Sequence, residues 1–331
     1  MYNENNMPEY VGPFKEILPE YINYKRAQGY LWHPPITFRL KEMDTFFHRM
    51  GINEVAITRE MYESYTRRKP NEKETTTQKR QSAIRGFSNY LIMRGYENIY
   101  NGYDDTRIFK RDFIPYVFSE DETDRMFNVL NDACRNNRCH ENDTFFAIMS
   151  LYYCCGFRKS EVQNLLVRDV DLQIGKITIL GGKNDVSRIN IVSDSLRTLL
   201  QEYHNKYSIS AMPEDYFFHG VKSKKCNDDF LYKRFRQLLA DAEIPPRANG
   251  DRQRIHDLRH TFCVRALEQM QRKGFDLYTS LPLLSIHLGH KHITDTEYYL
   301  RMLDEHFDGI LQKSTDYIPD LYGMAKEGFD D

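Results

Sequence analysis

The sequence predicts a mainly α-helical protein of two domains, interrupted by one small β-hairpin. Apolar residues recur at three- and four-residue spacing along most of the chain, the signature of amphipathic helices. Only "GKITILGGKNDVSRINIV", residues 175–192, breaks this pattern: two β-rich runs flank a Gly/Asn/Asp loop, which predicts a hairpin. Between about 100 and 117, "NGYDDTRIFKRDFIPYV" loses the helical period and collects turn residues and charge, so the domain linker is expected there. At 331 residues the chain is long enough to bury two cores.

Each element can be justified in order. In the first domain, 1–112, "PFKEILPEYINYKRAQG", "ITFRLKEMDTFFHRMG", "TREMYESYTRRK" and "TTTQKRQSAIRGFSNYLIMRG" each end near a glycine or a charged turn, predicting a bundle of four short helices. The second domain, 113–331, opens at "SEDE", where Ser119 and Glu122 have the spacing of a capping box. Helices are expected to follow at about 143–155, 159–166, 194–207, 227–242, 257–272, 278–287 and 294–303. The closing "DEHFDGILQKSTDYIPDLYGMAKEGFDD" has the pattern of one more amphipathic helix before an acidic end.

Charge and composition narrow the function. Lys and Arg number 46 against 48 Asp and Glu, a net charge of −2, which argues against a protein that coats nucleic acid by bulk charge. A local basic face is still available. Arg67, Arg68, Lys69, Lys73, Lys79, Arg80 and Arg85 face only Glu72 and Glu74, and read either as a solvated helix surface or as a phosphate-contacting one. No run approaches the roughly 20 apolar residues of a membrane span. The polar, acidic start "MYNENNMPEY" is unlike a signal peptide and predicts a cytoplasmic protein. Six cysteines without a CxxC pair read as reduced thiols, and Cys134 with Cys139 and His140 lacks the two close ligand pairs of a zinc site.

Three segments of the second domain concentrate groups able to handle an anion. "CGFRKSEVQNLL" carries Arg158 and, three residues on, Glu161, a pairing common on helix surfaces. "RIHDLRHTFCVRAL" carries His256, Arg259 and His260. Its H-x-x-x-H spacing matches a zinc pair but lacks the general-base glutamate, since Asp257 and Leu258 follow, and structural histidines are the favoured reading. "LGHKHITDTEYYL" carries His290, His292 and the doublet Tyr298–Tyr299.

Taken in order, Arg158, Lys183, His256, Arg259, His290 and Tyr299 resemble the tyrosine recombinase family, the phage-type integrases. "GFRKSE", the hairpin "GGK", "HDLRH", and "LGH" followed nine residues later by a tyrosine carry the resemblance. It extends over residues 113 to 305, and the N-terminal bundle is similar to the family's core-binding domain. The resemblance implies an enzyme that cuts and rejoins DNA through a 3′-phosphotyrosine bond, without metal, ATP or other cofactor. It makes Tyr299 the nucleophile, Lys183 the general acid for the departing 5′-hydroxyl, and Glu161 a support behind the basic groups. Physical chemistry agrees. Arg158 and Arg259 offer permanently charged forks suited to phosphate, and His256 and His290 donate hydrogen bonds or move protons near neutral pH. A phenol of pKa about 10 needs such a pocket to attack. Adjacent helical residues point about 100° apart, so Tyr298 cannot share the role of Tyr299 and is expected to pack, while His287 and His292 read as structural or exposed.

The implied partners are double-stranded DNA recombination sites, a homotetramer that swaps strands through a Holliday junction, and an accessory or directionality protein. The basic stretch at 67–85 and "VKSKK", with Lys222, Lys224 and Lys225, are the candidate DNA surface. "FDGILQ" is the candidate helix for docking on a neighbouring protomer or on its own domain. The short N-terminal domain leaves a two-domain enzyme, a chromosome-dimer resolvase or the recombinase of a mobile element, and hairpin wording poorer in lysine and glycine than is usual for the family, with the non-basic total charge, favours the mobile element. Three other readings stay open: a type IB topoisomerase-like nicking enzyme, a DNA-binding protein without catalysis, and a metal-dependent phosphoesterase using His256, His260, His287, His290 and His292.

Overall fold

The structure, a computed structural model, describes residues 8–30, 34–103, 115–137, 139–181, 187–220 and 225–306. The chain divides into two compact units, Met1–Asp112 and Phe113–Asp331. Among the described residues no helix is long and apolar enough to cross a membrane.

The first unit is built from α1 (Ile17–Ala27), α2 (Pro34–Arg49), α3 (Arg59–Thr66) and α4 (Glu74–Met93). Their apolar stripes meet around Phe14, which packs edge-on against Phe47 at 5.8 Å and Phe87 at 5.1 Å between ring centroids. Such pairs add about 0.5–1.5 kcal/mol to the area they bury. Thr58 caps α3 by accepting from the Met61 amide at 3.3 Å. The fully buried Asp44 of α2 accepts the backbone N–H groups of Val11, Gly12 and Phe14 at 2.9, 2.6 and 3.0 Å. That carboxylate fastens the segment before α1 onto the bundle.

The second unit opens with α5 (Glu120–Asn136), whose Ser119–Glu122 capping box closes reciprocally at 2.9 and 3.1 Å. Next come α6 (His140–Cys155) and α7 (Lys159–Gln163), then β1 (Val170–Asp171), β2 (Lys176–Ile179) and β3 (Arg188–Ile191). The remaining helices are α8 (Asp194–Tyr207), α9 (Asp228–Asp241), α10 (Ile255–Arg272), α11 (Leu277–Leu288) and α12 (Thr294–His306). α6 runs through the centre: Phe145, Ala147, Ile148, Met149, Leu151 and Tyr152 are all at most 1% exposed. Each of these side chains other than that of Ala147 contributes about 1.5–3 kcal/mol of burial.

Three features differ from the expectation. α7 stops at Gln163 rather than 166, because a single 3-10 turn over Val167–Asp169, closed by the Asp169 carboxylate on the Leu166 amide at 3.1 Å, redirects the chain into a strand. That strand, β1, makes the hairpin a three-stranded antiparallel sheet of order β1-β2-β3, paired Val170 with Ile177 and Thr178 with Ile189. β3 also turns its polar residues inward: Arg188 and Asn190 are buried, whereas Ile189 and Ile191 are 63% and 65% exposed. Most of the expected linker and the "FDGILQ" helix fall outside the described residues.

Candidate active site

α7 and α10 begin in the same way. In each, an arginine precedes the helix and an acid three residues later accepts that arginine's own backbone N–H: Glu161 from Arg158 at 2.8 Å, and Asp257 from Arg254 at 2.8 Å. Because the acid occupies the first turn, where unpaired amides gather, it is stabilised by the helix terminus as well. The local sequence thereby sets Arg158 at one helix entrance and His256 and Arg259 within the first turns of the other.

Two left-handed glycines complete the frame. Gly156 (φ 61°) ends α6 and Gly289 (φ 64°) ends α11. A β-carbon on Gly156 would meet the Phe262 ring at 2.4 Å, and one on Gly289 would meet the Arg188 guanidinium at 2.9 Å. These close approaches admit only glycine. The turns present carbonyls to the arginines. Arg259, 2% exposed, donates to Gly156 O at 2.6 Å, Leu288 O at 3.1 Å and His290 Nε2 at 3.0 Å. Arg158 donates to Glu161 Oε1 at 2.8 Å and Gly289 O at 3.4 Å.

A guanidinium can only donate, so His290 Nε2 accepts, and its Nδ1 carries the proton that is donated to Thr296 Oγ at 2.8 Å. His290 is therefore neutral, and burial followed by the Arg259 and Arg158 charges holds it down to about 4. His256 is exposed at the start of α10, edge-on to His260 with centroids 4.9 Å apart; the packing on its inner side, then the Arg259 and Arg254 charges, lower its pKa. The ring of Tyr299, 4% exposed, lies parallel to His290 with centroids 6.4 Å apart and 5.6 Å from His260. Burial and then the neighbouring Cys263 push its phenol well above its usual value, while the nearby Arg259 pulls the other way.

Arg158, Glu161, His256, Arg259, His290 and Tyr299, drawn from three separate stretches of sequence, thus converge on one pocket. Lys183, Lys222 and Lys224 lie outside the described residues. His287 is structural: Asn190 Nδ2 donates to its Nδ1 at 3.0 Å, and its Nε2 donates to Cys155 O at 3.0 Å. His292 is exposed, and Tyr298 packs beside Tyr299 with centroids 6.0 Å apart. Among the described residues no cluster of His, Cys, Asp and Glu is arranged to hold a metal ion.

The residues expected to line a DNA surface divide. Arg67, Arg68, Lys69 and Lys79 are exposed, and Lys225 is exposed with its ammonium on Asn164 Oδ1 at 3.0 Å. Arg80 is a correction: it is 5% exposed and bound to Glu72 at 2.7 Å and Arg67 O at 3.0 Å, so it holds the bundle together. Arg85 is half-buried on Gly102 O at 3.0 Å. Sequence reasoning missed Lys25 and Arg39, which join Lys79 and Tyr30 around a cleft of about 350 Å³ in the first unit. It also missed Arg188, which binds Glu161 through both oxygens at 2.9 and 2.8 Å. Burial opposes ionisation of Glu161, but its bonds to Arg188 and the charges of Arg188 and Arg158 prevail and hold it down to about 2.

Residues 117–306 match the phage integrase family, more than half of the chain. The chain belongs to this family. An integrase/recombinase of Sinorhizobium fredii, y4rB, is 27% identical over 56% of this chain and 61% of its own length, so the chain spans less than two thirds of that relative. A tyrosine recombinase of Pseudothermotoga lettingae is 29% identical over 71% of this chain and 74% of its own. The crystal structure of a XerH site-specific recombinase bound to palindromic difH substrate, a post-cleavage complex, shares the fold with a TM-score of 0.62 at 16% identity, over 91% of this chain and 96% of that one. Tyrosine recombinases are enzymes that cleave and rejoin DNA strands.

His260, 8% exposed with its Nδ1 unpartnered, is held down to about 3 by burial and then by His256. Its folded value lies below the unfolded 6.5, so the unfolded chain binds the extra proton. Stability is therefore complete above about pH 6.5 and lost as pH falls toward 3, at about 1.4 kcal/mol per unit of displacement. Melting temperatures taken between pH 7 and 5 should fall for the wild type and fall less steeply for His260→Asn. Parallel curves would show that His260 does not carry the effect.

Proposed function

We propose that this chain is a site-specific recombinase that exchanges DNA strands through a 3′-phosphotyrosine intermediate. The observation that carries the reading is the buried Tyr299 ring lying parallel to the neutral His290, which Arg259 binds at 3.0 Å, with Arg158 held on the adjoining Gly289 turn. A scissile phosphate seated against Arg158 and Arg259 places two fixed positive charges where negative charge grows during attack. Tyr299 Oη bonds to phosphorus as the bond to the 5′ oxygen breaks. The phenol proton passes to the neutral imidazole of His256, and Lys183 protonates the departing 5′ oxygen. The phosphotyrosine bond keeps the energy of the broken linkage, so a 5′-hydroxyl from a partner strand reverses the step without ATP.

The same reading makes the partners two DNA sites held by a homotetramer, with an accessory or directionality protein, in the movement of a mobile element. In the first unit, Arg67, Arg68, Lys69 and Lys79 with Lys25 and Arg39 supply phosphate contacts, as does Lys225 in the second.

The test is covalent capture from a pool of nicked duplexes with randomised cores, in the presence of chelator. The expected product is a detergent-stable adduct joined through a DNA 3′-phosphate, with a free 5′-hydroxyl on the released strand. Hydrolysis that chelator abolishes would instead favour a metal-dependent phosphoesterase, and the absence of any adduct would sink the reading.

A further inference from the structure

The inward-facing arginine of β3 has no counterpart in the set of phosphate-handling residues, yet it is built into the site more thoroughly than several of them. The Arg188 side chain is 5% exposed. It spends both terminal guanidinium nitrogens on the Glu161 carboxylate, donates Nε–H to His287 O at 2.8 Å, and lies over the Phe157 ring at 5.5 Å. Neighbouring Asn190 donates to the same His287 carbonyl at 3.1 Å. A β-strand thus docks on the last turn of α11 through a cation, directly beneath the Gly289 turn that leads to His290.

Glu161 is shared. Its Oε1 takes Arg158 Nη1 and Arg188 Nη1, and its Oε2 takes the Arg158 amide and Arg188 Nη2. Remove Arg188 and a buried carboxylate is left with Arg158 as its one remaining cation among the groups that bond it here. Both its oxygens would then draw on the Arg158 fork. With Arg188 present the carboxylate is already neutralised, and Arg158 stays turned toward Gly289 O and the pocket.

We propose that Arg188 is a positioning residue for strand cleavage, saturating Glu161 so that Arg158 remains available to the phosphate and holding the turn that carries His290. This inference rests on the recombinase reading. It also gives β3 its inverted polarity a purpose: the strand that leaves the Lys183 loop is fastened to the pocket by the residue that sets Arg158.

The experiment uses DNA sequences captured by the wild type, and compares wild type with Arg188→Met, Arg188→Lys, Glu161→Gln/Arg188→Met and Tyr299→Phe. Adduct formation is measured in a single turnover at saturating DNA, alongside DNA affinity and thermal unfolding. For Arg188→Met, cleavage should slow roughly 100-fold, the scale of a misplaced catalytic group, with DNA affinity little changed. Arg188→Lys restores part of the rate. The double variant, which removes the stranded carboxylate charge, should cleave faster than Arg188→Met alone. Wild-type rates in folded Arg188→Met, or a loss that follows only the fraction unfolded, would overturn the proposal while leaving the recombinase reading intact. Failure of the wild type to form a Tyr299-dependent adduct would overturn both.

Discussion

Tyr299→Phe is expected to eliminate the covalent DNA adduct, lowering its rate by at least about 10⁴-fold, the scale seen when a nucleophile is removed. Tyr298→Phe is expected to leave it nearly intact. The two rings pack together with centroids 6.0 Å apart, but Tyr299 is buried and Tyr298 only half-buried. Tyr299 is the ring that lies parallel to His290 and close enough to Arg259 to feel its charge. Losing one buried hydroxyl of this kind costs about 1 kcal/mol of stability, too little to unfold a domain. Thermal unfolding of both variants therefore separates chemistry from folding. An adduct that survives Tyr299→Phe and vanishes in Tyr298→Phe would transfer the nucleophile's role to the other ring.

Arg259→Lys should be nearly as damaging, and for two reasons at once. The guanidinium bridges carbonyls on two different turns, Gly156 and Leu288, while also reaching His290. A lysine ammonium is a single point on a flexible stem and cannot span all three. A buried carbonyl left without its donor costs about 1–3 kcal/mol. Cleavage should fall by roughly 10²–10³-fold, as when one oriented donor is lost from a transition state. Single-turnover adduct formation and melting temperature, measured together, check both halves. A folded Arg259→Lys enzyme that cleaves at the wild-type rate would remove Arg259 from the phosphate site.

Much of this architecture was legible in the sequence because its signals are local. The three- and four-residue spacing of apolar side chains located the helices, and Ser119 with Glu122 located a helix start that the structure reproduces atom by atom. β1 escaped because two residues cannot display an alternation. β3 was found as a strand, but nothing in "RINIV" says which face turns inward. Two isoleucines would ordinarily take the core, and they yield it here because Glu161 and the His287 carbonyl await a cation and an amide. Arg188 was invisible for that reason: its partners lie 27 and 99 positions away. Arg80 shows the converse error. Counting positive residues along a stretch measures charge and not exposure, and Glu72, noted only as a minor opposing charge, claims that arginine for the fold.

The sharing of Glu161 also bears on attempts to build chimeric enzymes. Arg158 and Glu161 sit in one segment, Arg188 in β3 at the far side of the hairpin, and the Gly289 turn in a third. A hairpin transplanted alone would bring a new strand to an old carboxylate, and could deliver its lysine correctly while unsettling an arginine it never touches. In this molecule the natural unit of exchange is a scattered trio of segments, so recombination between relatives at the hairpin boundaries breaks inheritance that a contiguous module would keep.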